Sequence, residues 1–205
     1  MANRSDIRTR ARNYLYEATA DLFTDARVNQ GISDTLSELP RKGVYLEEIH
    51  TTPRVVDQLD YSLPSGALKV EKVDVNLGTS AKPDWDEIKG WDNYAGALWL
   101  RQRPTDTYDM RIHIRKKFTD LTDDTTATDV PSDQLELVAV GAAIKCYQML
   151  IGYLVHAKNW DSVAKPDGIG LPQVKAWIHD LREIYNKMIN DQRRFPRPRE
   201  INMVD

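Results

Sequence analysis

The sequence is poor in the residues that build disulfide frameworks and metal sites. Among 205 residues there is one cysteine, Cys146, and there are four histidines, which are scattered along the chain. A single cysteine excludes an internal disulfide and a cysteine-rich zinc site, and no two histidines have the spacing of metal ligands. We therefore expect no metal, and the lone thiol fits a reducing compartment.

An excess of charge of one sign is lacking too. The chain has 28 basic and 31 acidic residues, which gives a net charge of −3. Proteins that bind nucleic acid over a broad surface carry a basic excess. The near balance of basic and acidic residues therefore argues against non-specific electrostatic binding of DNA or RNA.

No stretch is long and apolar enough to predict a signal peptide or a membrane span. The N-terminus lacks the apolar core of a signal peptide. The nearest candidate for a span, residues 135–155, contains Glu136, Lys145 and Gln148, and a charge within the bilayer is costly. We predict a buried helix there and expect no membrane partner.

Catalytic and nucleotide-binding motifs are also lacking. The sequence has neither a glycine-rich phosphate loop nor an HExxH motif, and Cys146 lies in the most apolar predicted helix, where thiols are usually inert. The aspartates of residues 120–129 do not have the order of a calcium loop. The sequence thus predicts no catalytic, cofactor or metal site, and a protein that is not an enzyme.

What is present, at both ends of the chain, is a helical pattern. Apolar residues recur at steps of three and four over residues 5–23, with Ser5 as the expected N-cap, and again over residues 24–39. Two further helices are expected to open at Pro131 and at Pro172. This pattern predicts a bundle of about four helices.

Between the helices the pattern has the period of two that is typical of strands. The alternation slips by one residue between Val70 and Val73, which predicts a β-bulge near Glu71. A short turn at residues 104–106 is expected to close a hairpin. The fold class predicted is therefore α+β: a helical bundle with an inserted small antiparallel β subdomain and an extended C-terminal tail.

The composition shifts suggest where these parts begin and end. Prolines close to the C-terminus cannot continue a helix, and the last residues are basic. We expect an N-terminal helical pair, the β subdomain, the helices that complete the bundle, and the tail, over residues 1–43, 44–118, 119–191 and 192–205.

Three groups of side chains are candidates for contacts with partners. The first group is a charged strand face, which is either exposed to solvent or a polar contact surface towards DNA or another subunit. Its residues are Arg111, His113, Arg115 and Lys117. Aromatic residues are either covered by their own loop or available to a partner on the tail side; they are Trp85, Trp91, Tyr94 and Trp99. Basic residues of the first helix match an acidic loop and could join neighbouring subunits, namely Arg8 and Arg12 with Asp120, Asp123 and Asp124.

Four segments follow one another in a distinctive order. They read ARNYLYEATADLFTDARVNQGISDTLSELPRKGVYLEE, LPSGALKVEKVDV, GALWLRQRPTDTYDMRIHIRKKFTDLTDD and VPSDQLELVAVGAAIKCYQMLIG. The part between Ile112 and Ile151 is the most specific, because a strand, an acidic loop and a proline-started helix with the run Gly141-Ala142-Ala143 occur there in order. Over residues 7–188, this order resembles the head–tail connector, or adaptor, proteins of tailed bacteriophages.

The resemblance implies a structural protein of the virion neck, assembled in the host cytoplasm. Members of this family stand in a ring of twelve copies beneath the portal, extend the DNA channel and offer a docking surface to tail, stopper or tail-terminator proteins. DNA passes through without sequence-specific binding. In this family a C-terminal segment commonly reaches the portal. The resemblance therefore implies a portal contact for Arg193, Arg194, Phe195, Arg197, Arg199 and Met203.

Two other functions stay open on the sequence alone. A nucleic-acid-binding module would use Arg111, Arg115 and Lys117 together with the arginine-rich tail, and its affinity would fall steeply with salt. An enzyme would need a polar site that no spacing in the sequence supports. The charge balance weighs against the first, and the missing motifs weigh against the second.

Overall fold

The computed structural model describes four stretches of the chain: residues 2–17, 22–79, 81–156 and 171–194. The chain divides into two compact units. The helical unit comprises Met1–Val44 and Thr119–Asp205, and the β unit comprises Tyr45–Phe118. Helices occur together with antiparallel sheets, which confirms the α+β class.

Within the described residues the helical unit has four α-helices and a short 3₁₀ helix. Their bounds are α1 (Arg4–Tyr14), α2 (Asp25–Glu38), the 3₁₀ helix (Leu39–Lys42), α3 (Leu135–His156) and α4 (Leu171–Arg194). Helix α3 packs against each of α1, α2 and α4. It is therefore the central element of this unit.

The stretch that most resembled a membrane span is the core of the helical unit. Residues 135–152 of α3 are long and apolar enough to cross a membrane, but 67% of this window is buried inside the protein. Val138, Val140 and Ala142 have no exposed surface at all. The burial favours the predicted core helix.

Two glycines let the neighbouring helices approach α3 closely. A Cβ atom on Gly31 of α2 would lie 2.8 Å from the backbone carbonyl oxygen of Ala142. A Cβ atom on Gly141 of α3 would clash with the side chain of Thr35 on α2. The close contact between α2 and α3 therefore depends on a glycine in each of the two helices.

The first helix begins and ends earlier than the sequence pattern indicates. Its N-cap is Asn3, not Ser5, because Asp6 stands three residues after Asn3 and completes a reciprocal capping box. The Asn3 Oδ1 atom accepts the Asp6 N–H at 3.1 Å, and the Asp6 carboxylate accepts the Asn3 N–H at 2.9 Å. The helix ends at Tyr14, and Tyr16 adopts a left-handed conformation with φ of 54°.

The last helix is longer than expected. Helix α4 continues to Arg194, so it includes the first three residues of the expected tail. The reason is local: the steric restriction imposed by Pro196 reaches back only one residue along the chain. The rest of the expected tail, residues 195–205, lies outside the described residues.

The β unit consists of seven described strands in two antiparallel sheets. The strands are β1 (Leu46–Pro53), β2 (Asp60–Ser62), β3 (Ala67–Asn76), β4 (Trp85–Glu87), β5 (Trp91–Tyr94), β6 (Ala97–Leu100) and β7 (Asp109–Lys116). One sheet has the order β1-β7-β3-β4 and the other the order β2-β6-β5. Side chains from both sheets, such as Ile112 and Leu98, share one buried core.

The strand pairing confirms the predicted bulge and corrects the predicted hairpin. The register between β3 and β7 shifts between Val70 and Lys72, where the alternation of the sequence slips. Residues 104–106 do not close a hairpin, because β6 pairs with β2 and β5 whereas β7 pairs with β1 and β3. Alternation predicts that a strand exists, but it does not say which strand is its neighbour.

Candidate assembly surfaces

Arginines of α1 form ion pairs with the acidic loop of the same chain. The Arg4 Nε atom lies 2.7 Å from Asp124 Oδ1, and an Arg8 guanidinium nitrogen lies 2.9 Å from Asp124 Oδ2. The hydrogen bonds from Arg8 and then from Arg4 hold the pKa of Asp124 below its usual range. The loop is also tied to the N-terminus, since the Thr128 N–H donates to the Ala2 carbonyl at 2.8 Å.

Arg12 is a buried cation that joins the end of α1 to the start of α2. Only 9% of its surface is exposed. One terminal nitrogen donates to the Phe23 carbonyl at 3.0 Å and to Asp25 Oδ1 at 2.6 Å, and the other lies 3.3 Å from Glu17 Oε2. The Glu17 carboxylate in turn accepts the backbone N–H groups of Leu22 and Phe23.

The remaining acidic candidates also have partners within the chain. Asp123 accepts hydrogen bonds from the backbone and hydroxyl groups of Thr126 and Thr125, which lower its pKa. Asp120 accepts the Ser33 hydroxyl at 2.7 Å. Of the two arginines that we expected to face a neighbouring subunit, Arg8 therefore pairs with Asp124 of the same chain, and Arg12 pairs with Glu17 and Asp25.

This anchoring predicts a loss of stability in acid. Because the folded pKa of Asp124 lies below its unfolded value of about 3.9, its contribution is present above that value and is lost as the pH falls through the folded pKa. We expect Asp124→Asn to lower the melting temperature at pH 7, and we expect the difference to shrink in acid, where the original protein also loses the charge of Asp124. Thermal melts followed by circular dichroism between pH 7 and pH 2 measure the melting temperatures. The control is Asp180→Asn, which changes an exposed residue and should leave the melting temperature unchanged.

The charged side chains of β7 contact other residues of the β unit. The Arg111 guanidinium stacks 3.9 Å above the centre of the Trp85 ring, His113 Nε2 lies 2.9 Å from Asp74 Oδ2, and Arg115 Nε lies 3.5 Å from Glu71 Oε1. Strand β7 is central in its sheet, so these charges do not protect an edge. Lys117 follows the end of β7. The geometry gives no support to a nucleic-acid surface here.

Of the four aromatic candidates for a tail-side contact, Tyr94 is the most exposed. Trp91 packs against the core of the β unit, and Trp85 is half-buried under Arg111. Tyr94 is 74% exposed, and Trp99 on the paired strand is 43% exposed. The register Asp92↔Trp99 and Tyr94↔Ala97 puts both exposed rings on one face of the sheet.

The described residues contain no cluster of three or more histidine, cysteine, aspartate or glutamate side chains that could hold a metal ion. Cys146 is buried, and burial raises the pKa of its thiol to about 12. A thiol with this pKa is protonated at neutral pH and is a poor nucleophile.

Comparison with known proteins agrees with this description. No curated protein matches the chain. The family described as SU10 adaptor protein matches residues 2–198, which include both compact units. The match confirms the resemblance to phage head–tail adaptors, and the chain belongs to the SU10 adaptor protein family.

Proposed function

We propose that this phage adaptor stands as a ring of copies, twelve as the resemblance implies, beneath the portal of the virion. There it extends the DNA channel and offers a docking surface to a tail, stopper or tail-terminator protein. The family match over residues 2–198 carries the proposal. The ring is part of the virion neck and assembles in the host cytoplasm.

A closed ring needs two different contact faces on each copy, because its interfaces are head-to-tail. We expect the helices that surround α3, namely α1, α2 and α4, to supply these faces, because each packs on α3 and has an outer side. The small residues Gly31 and Gly141 hold this bundle close. The helical unit is therefore the part that we assign to the ring.

A channel should let DNA slide rather than hold it. The net charge of −3 supports this, since tight binding requires many phosphate contacts from lysine and arginine. The cations of β7 support it as well, because Arg111 stacks on Trp85 and Arg115 pairs with Glu71. We therefore expect no sequence-specific DNA binding.

The tail-side contact is assigned to the exposed aromatic face of β5 and β6. Tyrosine and tryptophan are enriched in the buried centres of protein interfaces, where they contribute most of the binding energy. Tyr94 and Trp99 are exposed in the monomer, on one face of the sheet. A tail-side protein that covers them removes this apolar surface from water.

The portal contact is assigned to the residues that follow α4 and to its last turn. Arginine pairs with carboxylates through two parallel hydrogen bonds, which suits it to an acidic groove, while apolar side chains fill adjacent hollows. The residues concerned are Arg193, Arg194, Phe195, Arg197, Arg199 and Met203.

Truncation after Arg194 tests this assignment without cutting α4. We expect the full chain to sediment with the portal protein of the same phage and the 1–194 chain to remain unbound. Tyr94→Ala is the control, because Tyr94 is assigned to the tail-side contact and this variant should still bind the portal. Equal binding by the truncated and full chains contradicts the role of the tail, and a full chain that ignores the portal contradicts the proposed function.

A further inference from the structure

Two exposed aromatic rings of the β unit lie beside carboxylates on one face of a sheet. In the register of β2, β6 and β5, Trp99 stands between Asp60 on one neighbouring strand and Asp92 on the other. Residues directly opposite each other in antiparallel strands share a face, with Cβ atoms about 5 Å apart. Tyr94 is the diagonal neighbour of Trp99 on the same face. We call these four residues the Trp99 face.

The Trp99 face has one carboxylate that no cation of the described chain neutralises. Two nitrogens of the Arg101 guanidinium each lie 3.0 Å from an oxygen of Asp92, and these hydrogen bonds hold the pKa of Asp92 below its usual value. Asp60 is exposed and has no ion pair with any described residue. Asp60, Asp92 and Arg101 together therefore leave one net negative charge beside the indole ring.

Other rings of the β unit that are half-buried are covered by cations of the chain itself. The guanidinium carbon of Arg111 lies 3.9 Å from the centre of the Trp85 ring, and that of Arg115 lies 5.4 Å from the centre of the Tyr45 ring. Among the described residues, no lysine or arginine stacks on Trp99, which is 43% exposed. Trp99 thus has the ring and the carboxylate of a cation site without the cation.

An aromatic face next to a free carboxylate suits a guanidinium better than an ammonium group. A guanidinium is planar, so it can stack on an indole ring while its N–H groups donate to a carboxylate. We propose that the Trp99 face binds an arginine side chain of the tail-side protein, with the guanidinium on the ring of Trp99 and its N–H groups directed to Asp60. The choice of the tail-side protein rests on the proposed function, in which this face is the tail-side contact.

The sign of the charge separates this partner from the DNA of the channel. Phosphate groups carry the same sign as Asp60 and are bound by lysine and arginine, not by carboxylates. Arginine, tryptophan and tyrosine are also the residues that most often dominate the energy of protein interfaces. Phosphate binding at the Trp99 face is therefore an outcome that counts against the proposal.

The first experiment titrates the full chain with N-acetylarginine amide and follows the NMR signals of the Trp99 indole N–H and of the backbone amides of β5 and β6. We expect these signals to shift, and we expect no shift with N-acetylcitrulline amide, which has nearly the same shape but no charge. Asp60→Asn should weaken binding by about twofold to fivefold, as the loss of an exposed ion pair does. Trp99→Leu should weaken it to a similar extent, through the loss of a cation–π contact.

The matched control is Asp86→Asn, which neutralises an exposed aspartate of β4 in the other sheet and should leave the affinity unchanged. Absence of any shift at Trp99, equal shifts with the citrulline probe, or inorganic phosphate that shifts the same signals would each overturn the proposal. Equal affinities of the Asp60→Asn and Asp86→Asn chains would overturn it as well.

The second experiment measures binding of the tail-side protein of the same phage to these variants by isothermal titration calorimetry. Weaker binding by Asp60→Asn and Trp99→Leu, but not by Asp86→Asn, supports the proposal. If the arginine probe binds but the tail-side protein binds all variants equally, the tail-side protein is not the source of the arginine and the proposal is wrong. A chain that never joins the portal refutes the proposed function instead, and the titration with the arginine probe still decides whether the Trp99 face binds a guanidinium.

Discussion

Replacing Arg12 with methionine lowers the free energy of unfolding by about 3–5 kcal/mol, as removal of one partner from a buried ion pair does. Methionine fills much of the same space but removes the hydrogen bond to the Phe23 carbonyl and the cation that pairs with Glu17 and Asp25. Glu17 is itself largely buried, with 12% of its side chain exposed. Denaturant unfolding followed by circular dichroism at a helix wavelength measures the loss.

The control is an arginine of the same helix with an exposed partner. Arg10 lies 3.0 Å from Glu136, and their side chains are 48% and 38% exposed. Surface pairs of this kind contribute about 0–1 kcal/mol, so Arg10→Met should cost little. Equal losses for the two substitutions contradict the assignment of Arg12 as the residue that holds α1 to α2.

Replacing Gly31 with alanine lowers the free energy of unfolding by about 2–3 kcal/mol, within the range seen for overpacked cores. The new Cβ atom would lie 2.8 Å from the carbonyl oxygen of Ala142, which is backbone of α3 and cannot rotate away. The two helices must therefore move apart. This cost exceeds the gain of about 1 kcal/mol that alanine has over glycine inside a helix.

A glycine of α3 supplies the control with the opposite sign. Among the described residues, nothing lies within 4 Å of a Cβ atom added to Gly152. Gly152→Ala should therefore raise the free energy of unfolding by about 0.5–1 kcal/mol, because only the backbone preference changes. If both substitutions stabilise the chain, the close approach of α2 to α3 is not as described.

Short-range features of the fold were predictable, because they depend on neighbours in sequence. The slip in alternation at Glu71 marks the bulge between β3 and β7, and the apolar run in residues 135–152 marks the core helix. The end of α1 was not predictable from periodicity, since apolar residues continue past Tyr14 while Tyr16 turns left-handed. The pairing of β6 with β2 is a non-local choice that a strand pattern does not encode.

The kinds of side chain at the candidate surfaces were predictable from the sequence, but the residues that they contact were not. Opposite charges on α1 and on the acidic loop do meet, yet Arg8 and Asp124 meet within one chain. Trp85 of β4 lies under Arg111 of β7, two strands away in the sheet, which its position in the sequence does not reveal.

The ring beneath the portal is the central claim, and electron microscopy of the portal protein with and without this chain tests it most directly. The account predicts an additional ring of density on the tail-facing side of the portal, with several copies of the chain arranged around the channel axis. Particles identical to the portal alone, with this chain remaining monomeric in the same sample, would contradict it.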